Sequence, residues 1–208
     1  MKKETSRLSA ATVALVDVLL ALVLVGLLFG FYSARIFSRV QGNDMFPTYR
    51  NSDFLLCKKG GLYKRGDILC FRAGPGMRTE REKDLSIRRI VGLPGETVEI
   101  TPEGNVLIDG MPLKEDYLEP GVQAATYREG GTMRVTLGND EFFLLGDDRA
   151  AAFDSRDYGP VSAGLALGVS LAHPDMTAYI LTLVLPLCLA LAAWWAGDYG
   201  LRQLGKKR

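Results

Sequence analysis

The chain has few of the residues that build metal centres. Its 208 residues include one histidine and three cysteines, and no two cysteines stand as CxxC. A zinc site needs about four ligands, mostly Cys and His, at close spacing. No metal is therefore expected, nor any other cofactor. Charge of one sign is also lacking, with 25 Lys+Arg against 24 Asp+Glu. A nucleic-acid-binding protein carries a basic footprint, so nucleic acid is not an expected partner. The lone His173 stands just before an apolar run, where an interfacial or loop role suits it.

Long apolar runs are present, and there are two. The first is "ATVALVDVLLALVLVGLLFGFY", residues 11–32. A helix of that length crosses a hydrocarbon core of about 30 Å. Only Asp17 interrupts it, near the N-terminal end. An acid inside a membrane is a functional candidate by default, but the shallow position favours an interfacial site or a helix contact. A cleaved signal peptide has a shorter apolar core followed by small residues. This run ends in Phe31 and Tyr32, so it reads as a retained anchor. The second is "TAYILTLVLPLCLALAAWWA", residues 177–196. Tyr179, Trp194 and Trp195 at its ends are placed like an aromatic belt, and Pro186 is tolerable in a membrane helix.

Lys2, Lys3 and Arg7 precede the first run, and Arg202, Lys206, Lys207 and Arg208 follow the second. Basic flanks stay in the cytoplasm. The expected organisation is a cytoplasmic N-terminus (1–10), a transmembrane helix (11–32), an extracytoplasmic domain (33–176), a second transmembrane helix (177–196) and a cytoplasmic basic tail (197–208). The expected location is a plasma membrane, with membrane lipid as a partner.

The middle domain reads as mainly antiparallel β. "DFLLCKK" and "GDILCFRA" are short apolar strands split by "GGLYKRG". "TVEI" and "VLIDG" form a hairpin across "TPEGN", with Gly104 and Asn105 in the turn. "MRVTL" and "EFFLLG" read as a second hairpin around Gly138. Residues 72–84, "RAGPGMRTEREKD", are a polar surface loop or a hairpin extension. Cys57 and Cys70 are either paired in a disulfide or two small buried hydrophobes.

Three stretches stand apart from ordinary β-protein composition: "VQGNDMFPT", "IRRIVGLPGE" and "LLGDDRAAAFDSRDYGPV". Together, in this order and after a membrane anchor, they resemble the type I signal peptidases, membrane-bound serine proteases of the S26 family. The first is similar to V-x-G-x-S-M-x-P-T, with Val40, Gly42, Met45, Pro47 and Thr48 matching and Asp44 in place of the serine. The second is similar to K-R-x-x-G-L-P-G-[DE], with Arg89, Gly92, Leu93, Pro94, Gly95 and Glu96 matching and Arg88 in place of the lysine. The third resembles G-D-N-x-x-x-S-x-D-S-R-x-x-G-x-V. There Gly146, Asp147, Asp154, Ser155, Arg156, Gly159 and Val161 match, Asp148 replaces the asparagine and Ala152 the second serine. Three ordered matches are far more specific than one. The resemblance implies a signal-peptidase-like β domain between the two spans.

The departures fall on the chemistry. The family resemblance implies a Ser-Lys dyad, in which a neutral lysine takes the serine's proton. Arg88 cannot be that base, because guanidinium stays protonated with a pKa above about 12. A carboxylate at position 44 would form an anhydride on attack, a worse product than an ester. Asp44 and Arg88 occupy the two positions that touch in the family, so they are expected to form an inactive ion pair. Gly42, Met45, Phe46 and Pro47 are the candidate peptide-binding residues, with ordinary packing as the alternative for Met45 and Phe46. Asp147, Asp154 and Arg156 are expected to form a structural ion network. An aspartic-type pair of Asp44 with Asp147, Asp148 or Asp154 is disfavoured by Arg88, which would hold Asp44 ionised. Ser155 has no base placed beside it by the motif.

Two functions follow as expectations. One is a non-catalytic peptide-binding or assembly factor, because an Asp at the serine position resembles degenerate members linked to pilus assembly in Gram-positive bacteria. Its partners would be an exported precursor or pilin-like peptide, and an active signal peptidase or a sortase. The other is a working signal peptidase that cleaves exported precursors. Gly26 and Gly30 ("GLLFG") give the first span a G-x-x-x-G face for pairing with another helix.

Overall fold

The computed structural model describes residues 10–74, 77, 85–118 and 131–171, together with positions 188, 191, 194 and 195. The expected second span at 177–196, His173, both basic termini and most of residues 72–84 lie outside the described residues, apart from those four positions. The chain divides into two units, Met1–Ser170 and Leu171–Arg208. In the second, positions 188, 191, 194 and 195 are helical and exposed.

The first unit begins with α1 (Ala10–Ser33). Among the described residues, no helix is long and apolar enough to cross a membrane. The backbone of α1 runs 24 residues, about 36 Å by the rise of an α-helix. The side chain of Asp17 is outside the described ones. Strand β1 (Arg35–Arg39) follows after a single residue, and β2 (Phe54–Lys59) returns antiparallel to it, pairing Arg35 with Lys58. Lys59 therefore comes back to the end of α1. Its amide donates to the Ala34 carbonyl at 3.0 Å and its ammonium to the Ser33 carbonyl at 2.8 Å.

The remaining strands are β3 (Ile68–Arg72), β4 (Leu85–Gly92), β5 (Thr97–Ile100), β6 (Val106–Ile108), β7 (Met111–Pro112), β8 (Met133–Thr136), β9 (Glu141–Leu145), β10 (Val161–Ser162) and β11 (Ala166–Ser170). A one-turn helix α2 (Ser155–Tyr158) precedes β10. The larger sheet has the order β1-β2-β11-β3-β4-β9-β10, and the smaller β7-β6-β5-β8. Every pairing between these strands is antiparallel. The expectation of a mainly antiparallel β domain is met.

The middle strands of the larger sheet are apolar on both faces, and the packing gives the reason. In β3, Ile68 and Cys70 join one cluster with Val40, Met45, Tyr49, Leu55, Cys57 and Ile87, while Leu69 and Phe71 join another with Ile90, Phe142, Leu144 and Val161. In β9, Phe142 and Leu144 face that second cluster, while Phe143 and Leu145 pack against Val98, Ile100 and Val106 of the smaller sheet. A strand covered on both sides has no polar face, so its sequence reads as an unbroken apolar run.

The β5–β6 hairpin forms as expected, with Gly104 in its turn at φ +85°. The expected hairpin of "MRVTL" with "EFFLLG" does not form. β8 pairs with β5 in the smaller sheet, whereas β9 pairs with β4 and β10 in the larger one. Burial explains the split. β8 alternates between half-buried and exposed residues, while four successive residues of β9 are buried. An edge strand with one wet face and a strand covered on both faces suit different sheets.

Cys57 and Cys70 are joined in a disulfide. Their strands flank β11, so the bond ties β2 to β3 across it. It lies within the first apolar cluster.

Candidate functional site

The site is built where the loop between β1 and β2 meets β4 and the segment after β9. Backbone bonds close the base of that loop, from Val40 N to the Asp53 carbonyl (2.9 Å) and from Ser52 N to the Val40 carbonyl (2.8 Å). Two asparagines cross-link its interior. Asn43 Oδ1 accepts from Asn51 N at 3.0 Å, and Asn51 Oδ1 accepts from Gly42 N at 3.1 Å. Gly42 has φ +79°, a left-handed conformation that favours glycine. Met45 is 1% exposed and packs in the cluster beneath the loop, so its side chain faces the core. Phe46 is 44% exposed, and the Arg50 guanidinium lies over its ring at 5.6 Å. Pro47 is half-buried, and Gly42 is exposed.

Adjacent residues of a strand point to opposite faces, and β4 uses this to present two arginines. Arg88 is paired with Leu69 and Arg89 with Ile68. Arg88 donates from Nη2 to Asp44 Oδ2, forming an ion pair. The Phe153 carbonyl accepts from its Nε at 3.1 Å and its Nη2 at 2.7 Å, and the Ile87 carbonyl accepts from Nη1 at 2.6 Å. Its guanidinium thus has partners on all three nitrogens. The Arg88 side chain is 11% exposed and that of Asp44 33%. The backbone of Asp44 is held as well, its carbonyl accepting from Asp148 N at 3.0 Å.

Gly146 lies against this contact. A Cβ there would fall 2.5 Å from the Asp44 carbonyl oxygen and 2.2 Å from the Ala152 Cβ. The absence of a side chain lets the segment after β9 approach the Asp44 loop this closely. Ala152 itself is wholly buried.

The other two acids of the motifs each have their own arginine. Arg89 grips Asp147 with two bonds, Nε to Oδ1 at 2.8 Å and Nη2 to Oδ2 at 2.5 Å, and Thr48 Oγ1 donates to the same carboxylate at 2.5 Å. Arg156 grips Asp154 in the same bidentate way, at 2.8 and 2.7 Å. Asp154 also accepts from Gly146 N at 3.0 Å and caps α2, with Asp157 completing a capping box. With Asp44, Asp147 and Asp154 each engaged by a separate guanidinium, the proton-sharing pair of carboxylates does not form. Asp148 Oδ1 accepts from Ala151 N at 3.1 Å and so caps a local turn. Ser155 is wholly buried, and its Oγ accepts from Leu144 N at 2.9 Å.

A further layer escaped the sequence reading. Arg149 is 2% exposed and donates to both oxygens of Glu115, to the Tyr117 hydroxyl at 3.3 Å and to the Gly146 carbonyl at 3.0 Å. Tyr117 also stacks under Arg89, whose guanidinium lies 4.0 Å from the ring centroid. Its hydroxyl pKa is pushed well above the usual tyrosine range, first by burial and then by the Glu115 charge. Burial by itself would lower the Arg149 pKa, but the bond to Glu115 and its charge outweigh that and raise it. Tyr158 contributes another buried hydroxyl, without a hydrogen-bond partner among the described residues, and burial drives its pKa strongly upward. Its ring packs on Phe153 at 5.6 Å.

Most of the chain matches a known family. The profile described as "Signal peptidase, peptidase S26" aligns with residues 11–172. The chain belongs to this family. Among curated relatives, a signal peptidase I of Leptolyngbya laminosa is 34% identical over 128 residues, 59% of this chain and 60% of that protein. A signal peptidase I P of Bacillus subtilis subsp. natto is 32% identical over 148 residues, covering 67% of this chain and 75% of the relative. This chain thus spans less than two thirds of the Leptolyngbya protein. A crystal structure of a signal peptidase I from Enterococcus faecalis is 28% identical and covers 52% of this chain and 97% of that one, with a TM-score of 0.42.

Proposed function

We propose that this chain is a membrane-anchored member of the family that holds an extended segment of an exported protein without cutting it. The observation that carries this reading is the ion pair between Asp44 and Arg88, at the positions of the family's nucleophile and base. An arginine with a partner on every nitrogen is in no position to accept a proton. A carboxylate engaged by that arginine is a poor nucleophile toward an amide, and the product would be an anhydride. The loss of either member of such a dyad lowers the rate by several orders of magnitude.

Two observations support the cellular setting. The 24 residues of α1 carry one charge, Asp17, and match the length of a membrane anchor. The disulfide between Cys57 and Cys70 suits an oxidising compartment outside the cytoplasm. The client would be a precursor or pilin-like segment taken up by strand addition. An active signal peptidase or a sortase would then do the covalent chemistry, with this chain as an accessory in pilus assembly.

The second reading is an active signal peptidase, favoured by the match of the remaining motif positions and by the names of the relatives. Binding separates the two. A fluorescent peptide with an Ala-x-Ala site, added to the full-length protein in detergent, is expected to show saturable anisotropy and to be recovered intact by mass spectrometry. Cleaved peptide, or no binding, contradicts the proposal.

A further inference from the structure

Residues 113–118, just after β7, join the smaller sheet to the site through side chains. Their exposure alternates. Lys114 and Asp116 are exposed and pair with each other at 2.7 Å, while Glu115 and Tyr117 turn in toward buried arginines. The segment leaves β7 with Leu113 N donating to the Val106 carbonyl at 2.8 Å. It belongs to no strand, so Glu115 and Tyr117 are what fasten it beside β4 and the segment after β9.

Each of the two starts a chain of contacts that ends on the Asp44 loop. Tyr117 lies under Arg89, Arg89 holds Asp147 by two bonds, and Asp147 accepts from Thr48 in that loop. Glu115 holds Arg149, Arg149 Nε donates to the Gly146 carbonyl, and Gly146 lies against the Asp44 carbonyl. The Tyr117 hydroxyl donates to Glu115 at 2.5 Å and accepts from Arg149, which links the two routes. One route ends at Thr48 and the other at the backbone of Asp44 itself.

The geometry points to residues 113–118 as a strap that sets the shape of the peptide site, with Glu115 and Tyr117 as its positioning residues. A guanidinium held between an aromatic face and a carboxylate has little freedom to shift. Both residues act on the loop through an arginine, and the two arginines reach it from different sides. The inference rests on the reading of this site as one that holds an extended peptide. It makes the grip on that peptide depend on a segment of the smaller sheet's own connection.

The test uses the full chain in detergent with two readouts, the anisotropy of a fluorescent Ala-x-Ala peptide and amide hydrogen exchange followed by mass spectrometry. Tyr117→Leu removes the ring under Arg89, whereas Tyr117→Phe keeps the ring and removes only the hydroxyl. With leucine, the amides of residues 43–52 should exchange faster while those of β3 and β9 stay protected, and peptide affinity should fall about tenfold. With phenylalanine both readouts should stay close to those of the natural protein. Lys114→Ala with Asp116→Ala, on the outer side of the same segment, should change neither. Should the leucine variant not fold, Glu115→Gln decides, since it keeps the side-chain shape and removes the charge on Arg149. It should speed exchange in residues 43–52 alone. Unchanged exchange there, or faster exchange throughout the domain, would overturn the strap. Faster exchange there with unchanged affinity would overturn its hold on the peptide site. If the natural protein binds no peptide, the peptide-holding reading falls, and exchange by itself decides whether the strap positions the loop.

Discussion

Asp44→Ala would leave the Arg88 guanidinium in a largely buried position with only carbonyl partners. Breaking a fully buried ion pair costs about 3–5 kcal/mol. Asp44 is one third exposed, and solvent screening reduces the expected loss to about 2 kcal/mol. Thermal unfolding in detergent measures it, and an unchanged midpoint would mean that the pair contributes nothing. Gly146→Ala acts on the same contact by steric means. Its new methyl meets the backbone carbonyl of Asp44 and the Ala152 methyl, and neither is the tip of a flexible side chain. A loss of about 3 kcal/mol is expected, while a neutral effect would show that the segment after β9 can move away. At this scale the sequence exposed much of the site. Asp44, Arg88, Asp147, Asp154 and Arg156 all lie in short motifs with Gly and Pro at fixed offsets. Glu115 and Tyr117 were not legible, because "KEDY" has the composition of a solvated loop. Their arginine partner, Arg149, lies 34 residues from Glu115, and no local pattern reports a pairing at that distance.

The elements show the same division between local and distant information. The β5–β6 hairpin was readable because its turn is contained within it. β8 and β9 looked like a hairpin for the same reason, but the number of covered faces decided otherwise. The alternation in β8 and the apolar run in β9 carried that information, once read as burial rather than as strand length. α2 is a single turn, too short to show a helical period, and its capping box is its main sequence signal. The cysteines were ambiguous because β2 and β3 are not adjacent, and only the insertion of β11 between them sets the geometry. Replacing both cysteines by alanine opens a link of 13 residues, which is expected to cost about 3 kcal/mol. Denaturant unfolding of the oxidised protein against this variant measures it, and equal midpoints would show that the strand pairing suffices by itself.

On the scale of the whole molecule, the buried tyrosines tie stability to alkaline pH. Burial, the first cause at both Tyr117 and Tyr158, suppresses ionisation in the folded state. An unfolded tyrosine loses its proton near pH 10. Above that pH the unfolded chain binds fewer protons than the folded one, so stability falls as pH rises, by up to about 1.4 kcal/mol per pH unit for each tyrosine. The contribution is complete below pH ~10. Denaturant unfolding at a series of alkaline pH values should show this slope, and Tyr158→Phe should flatten it without removing the ring that packs on Phe153. A slope unchanged by the substitution would contradict the assignment. Fold and family were legible at this scale because they rest on motif order and strand composition, both spread along the chain. What the chain does turns on two side chains, and cleavage tests them most directly. The natural protein and the Asp44→Ser/Arg88→Lys variant, each full length in detergent, are mixed with a precursor carrying an Ala-x-Ala site, and the products are weighed by mass spectrometry. The account predicts an intact precursor with the natural protein and released signal peptide with the variant. Cleavage by the natural protein at that site would contradict it.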